Sequence, residues 1–569
     1  LRWLLPGSVE NAAPLAARLG VHPLAAKVLA SRGYGTPEAA AAFLADRLTD
    51  LPNPTTMMGV REAVSRLARA LANGEKITLY GDYDVDGVCS TALLARFLRS
   101  LGGMVATYIP QRLGEGYGLN RAAIERIAGD GTRILVTLDC GITAVAEVAR
   151  ARELGLDVIV VDHHTVPETK PPAFAILNPL QPGCAYPTKH LCAAGVAFNL
   201  CMALRAQLRA DGFFSQLREP NLKSYLDLVA LATVADVVPL TGANRVLVKH
   251  GLAELGSAKR VGVRALKEVS GLGASSPVSA GQVGFRLGPR INAAGRLDDA
   301  SVGLRLLTTD DAAEARRLAE QLDDANTERQ GIEQGILGGA LEQAEARRSA
   351  RGLVLYSEDW HPGVIGIVAS RIVERYHRPT VLVAVKGGEG RGSARSIEGF
   401  HLVDALGRCA EHLTKYGGHR HAAGLSISAA RLPAFRDAFE ALAAEVLREE
   451  DLAPRCRVDA LLSHAEVDES AAEAIEALAP FGNGNPEPVF ATRRLVARPR
   501  VLASKRPGAP GHLKLAIEGG RGLDAIGFGM ADRVALTEGP IDLAFQLSLD
   551  EWNGVRRVQL RVKDIQASR

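Results

Sequence analysis

The sequence predicts an α/β protein: a parallel-sheet domain joined by a long helix to a smaller α/β domain, followed by a C-terminal β-barrel. Three observations predict it. From about residue 75 to 240, short β-branched runs alternate with amphipathic stretches. Residues 308–349 contain no proline and are rich in Ala, Glu, Leu, Gln and Arg. From 456 onward the pattern changes to short alternating segments broken by turns.

In the first stretch, "KITLYGD" precedes "VCSTALLARFLRSL", "ILVTLDCG" precedes "TAVAEVARARELG", and "DVIVVDHH" and "AFAILNP" follow. Strands alternating with helices read as a parallel sheet covered on both faces. Each polar cluster falls just after a strand, at the edge where open α/β sheets place ligands. The run from Thr308 to Ser349 reads as one helix, on the order of 60 Å at ~1.5 Å per residue. "GLVLYSE", "GVIGIVASRIVERY", "PTVLVAV", "GRGSARS" and "HAAGLSIS" form a second α/β pattern, with helices near 402–413 and 431–448. "HLKLAIEG", "LDAIGFGM", "IDLAFQLSLD" and "VQLRVKDI" suggest a small antiparallel barrel. With 569 residues, the chain exceeds one ordinary core. The expected division is an N-terminal helical segment over 1–55, the parallel-sheet domain over 56–307, the connecting helix over 308–349, the second α/β domain over 350–452 and the barrel over 456–569.

Composition excludes several classes. No run approaches the ~18 apolar residues of a membrane helix, and the first residues lack the layout of a signal peptide, so a cytoplasmic protein is expected. The chain opens at Leu1 rather than Met, so its natural start is expected to be missing. Seven scattered cysteines without a Cys-x-x-Cys pair argue against a disulfide framework and a structural zinc. The net charge is +3, from 67 basic and 64 acidic side chains, so bulk charge predicts no polyanion partner. Only local clusters bear on nucleic acid.

The clusters that matter are acidic. "YGDYDVDGVCSTALL" sets Asp82, Asp84 and Asp86 at alternate positions between apolar stretches. An EF-hand opens similarly, but its twelfth loop position requires Glu and here is Leu93. Two further strand ends carry Asp139 in "VTLDCG" and Asp162, His163 and His164 in "VVDHH". Asp236 lies in "LATVADVVPL" after an apolar helix. One Asp after a strand is commonly a helix cap; all of them at one sheet edge leave four to six carboxylates uncompensated. A pair of divalent cations resolves this, and carboxylates with one or two imidazoles suit Mn²⁺, with Mg²⁺ as the second choice. Two such ions ~3.5–4 Å apart support in-line phosphoester hydrolysis.

These four motifs resemble, in order and spacing, those of the DHH phosphoesterase superfamily, and "GGHRHAAGLSI" is similar to the glycine-rich signature of its companion DHHA1 domain. The resemblance is greatest to the bacterial branch that degrades single-stranded DNA from the 5′ end and adds an oligonucleotide-binding (OB) barrel. It covers nearly the whole chain. It implies that Asp82, Asp84, Asp86, Asp139, His163 and Asp236 are metal ligands, with Asp139 the candidate bridge. Catalytic roles are implied for Asp84, Asp86, Asp139, His163 and His164. Which first-motif acids are direct ligands stays open, one of them being able to orient a water instead. Asp162 is a candidate to hold a histidine ring from behind, and His164 is read as a phosphate contact in preference to a ligand.

Substrate contacts are expected in the second α/β unit. Gly417 and Gly418 beside His419 allow backbone N–H groups to approach a phosphate closely. Arg391, Ser393 and Arg395 alternate, so on a strand they share a face and form an anion cradle. Arg290, Asn292 and Arg296 add donors in "FRLGPRINAAGRLDDA". Arg112, in a Gly-rich loop, joins Ser393 and Arg395 in the expected pocket for a 5′-terminal phosphate. In the barrel, Arg493, Arg494, Arg498, Arg500, Lys505, Arg506 and Lys514 occur with no acid between Glu487 and Glu518. Phe528 and Trp552 are able to stack on bases, but core packing is the expected role for either.

The resemblance thus implies a two-metal exonuclease acting processively on single-stranded DNA from 5′ to 3′, releasing nucleoside 5′-monophosphates, in recombination and repair. Its implied partners are a single-stranded-DNA-binding protein and a helicase, and its implied state a monomer without membrane association. A phosphodiesterase for short oligonucleotides or cyclic dinucleotides is the alternative enzyme; the extra barrel argues against it. A scaffold on a decayed fold would require lost ligands, and the acids are intact.

Overall fold

The computed structural model describes residues 1–7, 12–111, 115, 118–297, 299–504, 510–519, 523–552 and 555–568. The chain forms two compact units. The larger comprises Trp3–Gly288, Gly303–Arg316 and Cys456–Arg569; the smaller comprises Leu1–Arg2, Pro289–Val302 and Arg317–Arg455.

The larger unit contains a five-stranded sheet of β1 (Ile77–Gly81), β2 (Val105–Tyr108), β3 (Ile134–Leu138), β4 (Asp157–Val161) and β5 (Ala175–Leu177). Its order is β2-β1-β3-β4-β5 and every pairing is parallel. β1 and β3 are buried along their whole length, as expected of strands covered on both faces. Helix α1 (Val85–Ser100) follows β1, and α2 (Ala193–Ala210) and α3 (Leu226–Ala235) follow the sheet. The order reverses beside β1, and such switch points open a crevice at the carboxyl ends of the strands. Gly81, Leu138 and Val161 lie in register there. The next residues continue the ladder: Asp82 N–H donates to Leu138 O at 3.1 Å, Asp139 N–H to Val161 O at 3.0 Å and Asp162 N–H to Leu177 O at 3.0 Å. Strand pairing therefore aligns three of the acids in one row.

Helix α4 (Gly288–Leu297) and the long helix α5 (Ala312–Glu345) have their first residues in the larger unit and the rest in the smaller, where β6 (Leu353–Ser357), α6 (Ile365–Tyr376), β7 (Thr380–Lys386), β8 (Glu389–Arg395), β9 (Lys415–Gly418) and β10 (Ala422–Ser428) follow. The sheet order is β9-β10-β8-β7-β6, with only β6 and β7 parallel. α5 is shorter than the expected 308–349. Asp311 starts it, its Oδ1 accepting from Ala313 N–H at 2.8 Å and Glu314 N–H at 3.3 Å, as an N-cap does.

The C-terminal region holds β11 (Ala460–Leu461), β12 (Phe490–Leu495), β13 (Ala497–Leu502), β14 (His512–Ile517), β15 (Asp524–Gly527), β16 (Ile541–Trp552) and β17 (Val555–Ala567). Their order is β11-β12-β16-β17-β15-β14-β13. The strands expected in a small antiparallel barrel are present, but their sheet is mixed rather than wholly antiparallel. β11–β12 and β15–β17 are parallel, and among the described residues no pairing joins β11 to β13. The chain returns from the β16–β17 hairpin to lie along β15, which makes that pair parallel. N-terminal helices Ala12–Leu19, Pro23–Ser31 and Pro37–Leu44 pack Leu24, Val28, Leu29 and Phe43 into one core with Leu478, Phe490, Leu513 and Phe545 of this region. Among the described residues no helix is long and apolar enough to cross a membrane.

Candidate metal centre

Local chemistry explains how each acid is presented. Asp84 caps α1, its Oδ1 accepting from Asp86 N–H at 2.9 Å and Gly87 N–H at 3.1 Å. Asp86, in the first turn, is 1% exposed. Its two oxygens accept from Ala193 N–H at 2.6 Å and Ala194 N–H at 2.8 Å, at the start of α2. Backbone donors and the helix dipole thus fix this carboxylate from behind. Gly87 permits the close approach, because a Cβ there would lie 2.4–2.6 Å from the Asp82 backbone. Asp139 sits at φ 65°, a left-handed conformation that Asp tolerates better than most residues. Asp236 ends α3, its N–H donating to Ala232 O at 2.9 Å.

His163 stands among the acids. Its Nε2 lies 3.1 Å from Asp139 Oδ1, 3.6 Å from Asp236 Oδ2 and 3.7 Å from Asp86 Oδ2. Three groups have ligand atoms within 4.8 Å of one another: Asp86, His163 and Asp236; Asp82, Asp84 and Asp139; and Asp139, His163 and His164. Asp139 and His163 each belong to two of them. Asp162 plays a different part. Its Oδ1 accepts from His163 N–H at 2.7 Å, His164 N–H at 3.0 Å and the His164 ring Nδ1 at 2.7 Å, and its Oδ2 from Ile142 N–H at 3.0 Å. It holds the His164 ring rather than facing the other acids.

Electrostatics show what the cluster lacks. Burial first, and then the charge of Asp84, push the Asp86 carboxyl up to about 7. Burial with Asp86 and Asp84 pushes Asp236 up to about 9. Asp139 is driven well above the carboxylate range by burial and by Asp86, Asp84, Asp82 and Asp236. Burial and His164 hold His163 down at about 4, so its imidazole is neutral, the form that ligates a metal. Burial disfavours a charged His164, yet the Asp162 hydrogen bond and charge outweigh it and raise the ring to about 9. Asp236 Oδ2 is buried and accepts no hydrogen bond from any of the described residues. Crowded carboxylates around a neutral imidazole and a buried oxygen without a donor are a donor set suited to hard divalent cations.

The remaining predicted residues are dispersed. Arg112 lies outside the described residues. Arg391, Ser393 and Arg395 share a strand, and Arg395 Nη1 donates to Ser393 Oγ at 3.2 Å and Ala394 O at 2.8 Å. A Cβ on Gly366, in the first turn of α6, would lie 2.8 Å from Ser393 Oγ and 3.2 Å from Arg395 Nη2. This pair therefore sits against a helix start, an added attraction for an anion. Gly418, at φ 146°, leaves no room for a side chain, since a Cβ would meet Ala422 O at 2.5 Å; His419 beside it is exposed. Arg290, Asn292 and Arg296 lie on α4, where Asn292 and Arg296 are one turn apart and Arg290 faces elsewhere. Arg290 Nε bonds Asp323 Oδ1 at 2.8 Å and Arg296 Nη1 bonds Gly363 O at 2.9 Å. Core packing of Phe528 is corrected: it is 61% exposed, edge-on to His512 at 5.3 Å between ring centres, because it follows the end of β15. The Trp552 side chain, Lys505 and Arg506 lie outside what is described. Sequence reasoning missed the Ala193 and Ala194 amides. "LCAAGVAF" offers no side-chain signal for them.

Comparison with known proteins gives this geometry a lineage. The family model described as "DHH family, N-terminal domain" matches residues 76–233, the DHHA1 domain 349–445 and the RecJ OB domain 458–564. The single-stranded-DNA-specific exonuclease RecJ of Dickeya dadantii is 43% identical over 527 residues, covering 89% of this chain and 90% of its own. This chain belongs to the RecJ family. The crystal structure of Thermus thermophilus RecJ with Mn²⁺ matches at TM-score 0.83 and 35% identity, covering 99% of this chain and 79% of that one. The same RecJ with Mg²⁺ matches at TM-score 0.77 and 34% identity, covering 99% and 78%.

Proposed function

We propose that this RecJ-family chain is a divalent-metal-dependent exonuclease that degrades single-stranded DNA processively from the 5′ end to nucleoside 5′-monophosphates, in recombination and repair. The observation that carries it is the convergence of Asp82, Asp84, Asp86, Asp139, His163 and Asp236 at one sheet edge in overlapping groups. Asp86, His163 and Asp236 would hold one cation and Asp82, Asp84 and Asp139 another, with Asp139 central. Bound divalent cations, Mn²⁺ or Mg²⁺, supply a water of lowered pKa and charge neutralisation for the attacked phosphodiester and the departing oxygen.

The protein's own groups position the reactants. Asp86 is locked by the α2 amides, and Asp162 fixes the plane and charge of His164. His164, 36% exposed, contacts the scissile phosphate as a cationic donor. Ser393 and Arg395, with Arg112, are assigned the 5′-terminal phosphate, and Gly418, His419 and Arg391 further contacts to the DNA backbone. Residues 56–307 are assigned hydrolysis, 350–452 the grip on phosphates and 456–569 the binding of the approaching strand. A monomeric cytoplasmic enzyme working with a single-stranded-DNA-binding protein and a helicase completes the reading, supported by family membership.

The test is degradation of end-labelled DNA in Mn²⁺, comparing 5′-phosphorylated single strands, blunt duplex and dinucleotides, with Asp139→Ala as control. Rapid loss of long single strands from the 5′ end, absent in the variant although DNA is still bound, is expected. Cleavage confined to dinucleotides would sink the proposal.

A further inference from the structure

The larger unit presents an aromatic side chain for which the hydrolytic centre has no use. Phe285 is 87% exposed. It lies in a widened turn, Val283–Leu287, whose end is marked by the Gly288 N–H donating five residues back to Val283 O. Val283 and Leu287 are fully buried. A Cβ at Gly284 would lie 3.9 Å from Val234 Cγ1, and one at Gly288 would lie 3.4 Å from Ala235 Cβ. These contacts seat the turn on the last turn of α3, the helix that delivers Asp236. Phe285 points away from that seat, beside the exposed Arg286.

A second feature marks the same place. Val237, directly after Asp236, is 63% exposed and held at φ 59°, a strained conformation for a β-branched residue. Asn483 maintains it, its Nδ2 donating to Val237 O at 2.6 Å while its carbonyl accepts Leu240 N–H at 2.7 Å. One exposed apolar side chain is ordinary. Two at the end of the helix carrying a metal-centre acid, one strained and one on a widened turn of the kind that recurs at functional sites, are not.

We propose that Phe285 stacks on a nucleobase of the strand being degraded, with Val237 as an apolar flank, and so acts as a positioning and specificity residue. A ring beside a cation is how proteins hold single strands without reading sequence. A duplex base has both faces covered by its neighbours, so this contact favours single strands. The inference rests on the exonuclease reading above.

The experiment is steady-state kinetics in Mn²⁺ on a 5′-phosphorylated single strand, comparing wild type, Phe285→Leu and Phe285→Trp, on normal DNA and on a strand of abasic analogues. Aromatic–base stacking corresponds to about 5- to 150-fold in binding. Phe285→Leu should raise KM at least ~5-fold on normal DNA with kcat nearly unchanged, Phe285→Trp should restore KM, and on the abasic strand wild type and Phe285→Leu should coincide. An unchanged KM for Phe285→Leu overturns the inference, as does an equal penalty on both strands, which would place Phe285 against protein. Wild type failing to degrade the normal strand overturns the exonuclease reading, and this inference with it; active wild type with indifferent Phe285 variants overturns this inference alone.

Discussion

Asp139 concentrates the conflict in the candidate metal centre. It is 2% exposed, lies 3.1 Å from His163 and feels four other carboxylates. Without cations this is repulsion in a poorly screened site; with cations it becomes attraction. Asp139→Asn keeps the side-chain shape and tolerates the left-handed backbone. It should therefore melt above wild type in EDTA and below it in excess Mn²⁺, where wild type gains about 2.7 kcal/mol at 100 times Kd. A thermal scan under both conditions checks the reversal, and the same order in both would count against cation binding here. Asp162 carries a different burden, accepting four hydrogen bonds with two oxygens. An amide replaces one acceptor oxygen by a donor, so Asp162→Asn should lower kcat by about 10- to 100-fold and also lower the unfolding midpoint in EDTA, because a buried N–H then faces a donor and His164 loses its counter-charge.

At the scale of elements, the centre depends on two helix starts. The first turn of α1 presses against the end of β1 through Gly87, and the first turn of α2 holds Asp86. Gly87→Ala would drive a Cβ into the Asp82 backbone and move α1 off the strand. Mn²⁺ affinity, titrated calorimetrically, should fall at least ~10-fold. The strand-end acids were legible because each follows a β-branched run within a few residues. The α2 contribution was not, since Ala193 and Ala194 offer only backbone N–H groups and lie more than a hundred positions from Asp86. In the proposed grip on the 5′-terminal phosphate, Arg395→Ala should reduce the preference for a 5′-phosphorylated over a 5′-hydroxyl end. An unchanged ratio of the two kcat/KM values would remove Ser393 and Arg395 from that role.

Across the whole molecule, the N-terminal helices are built into the C-terminal region. Besides their shared apolar core, Arg32 Nε bonds Asp459 Oδ1 at 2.8 Å, with side chains 10% and 5% exposed, and Arg32 Nη1 bonds Asn485 Oδ1 at 2.9 Å. Removing one partner leaves a buried charge uncompensated, which costs about 3–5 kcal/mol. Asp459→Ala should accordingly lower the unfolding midpoint by several degrees, and exonuclease activity below that transition should persist because the metal centre is untouched. Nothing in residues 1–55 announced this union. Their helices show ordinary amphipathic patterns, and the partner surface is more than 400 residues away.

By itself the sequence determined the strand-and-helix alternation, the long helix and the acids that follow the strands, because each is written in a local pattern of hydrophobic period or of charge after an apolar run. Tertiary structure alone decided which acids meet. Parallel pairing aligns Asp82, Asp139 and Asp162 across strands far apart in the chain, the end of α3 brings Asp236 to His163, and α2 closes behind Asp86. It also decided that the C-terminal strands make a mixed sheet and that Phe285 and Val237 stand outward. These outcomes depend on strand register and helix docking, which arise from burial summed over the whole fold and leave no mark in any short stretch of residues.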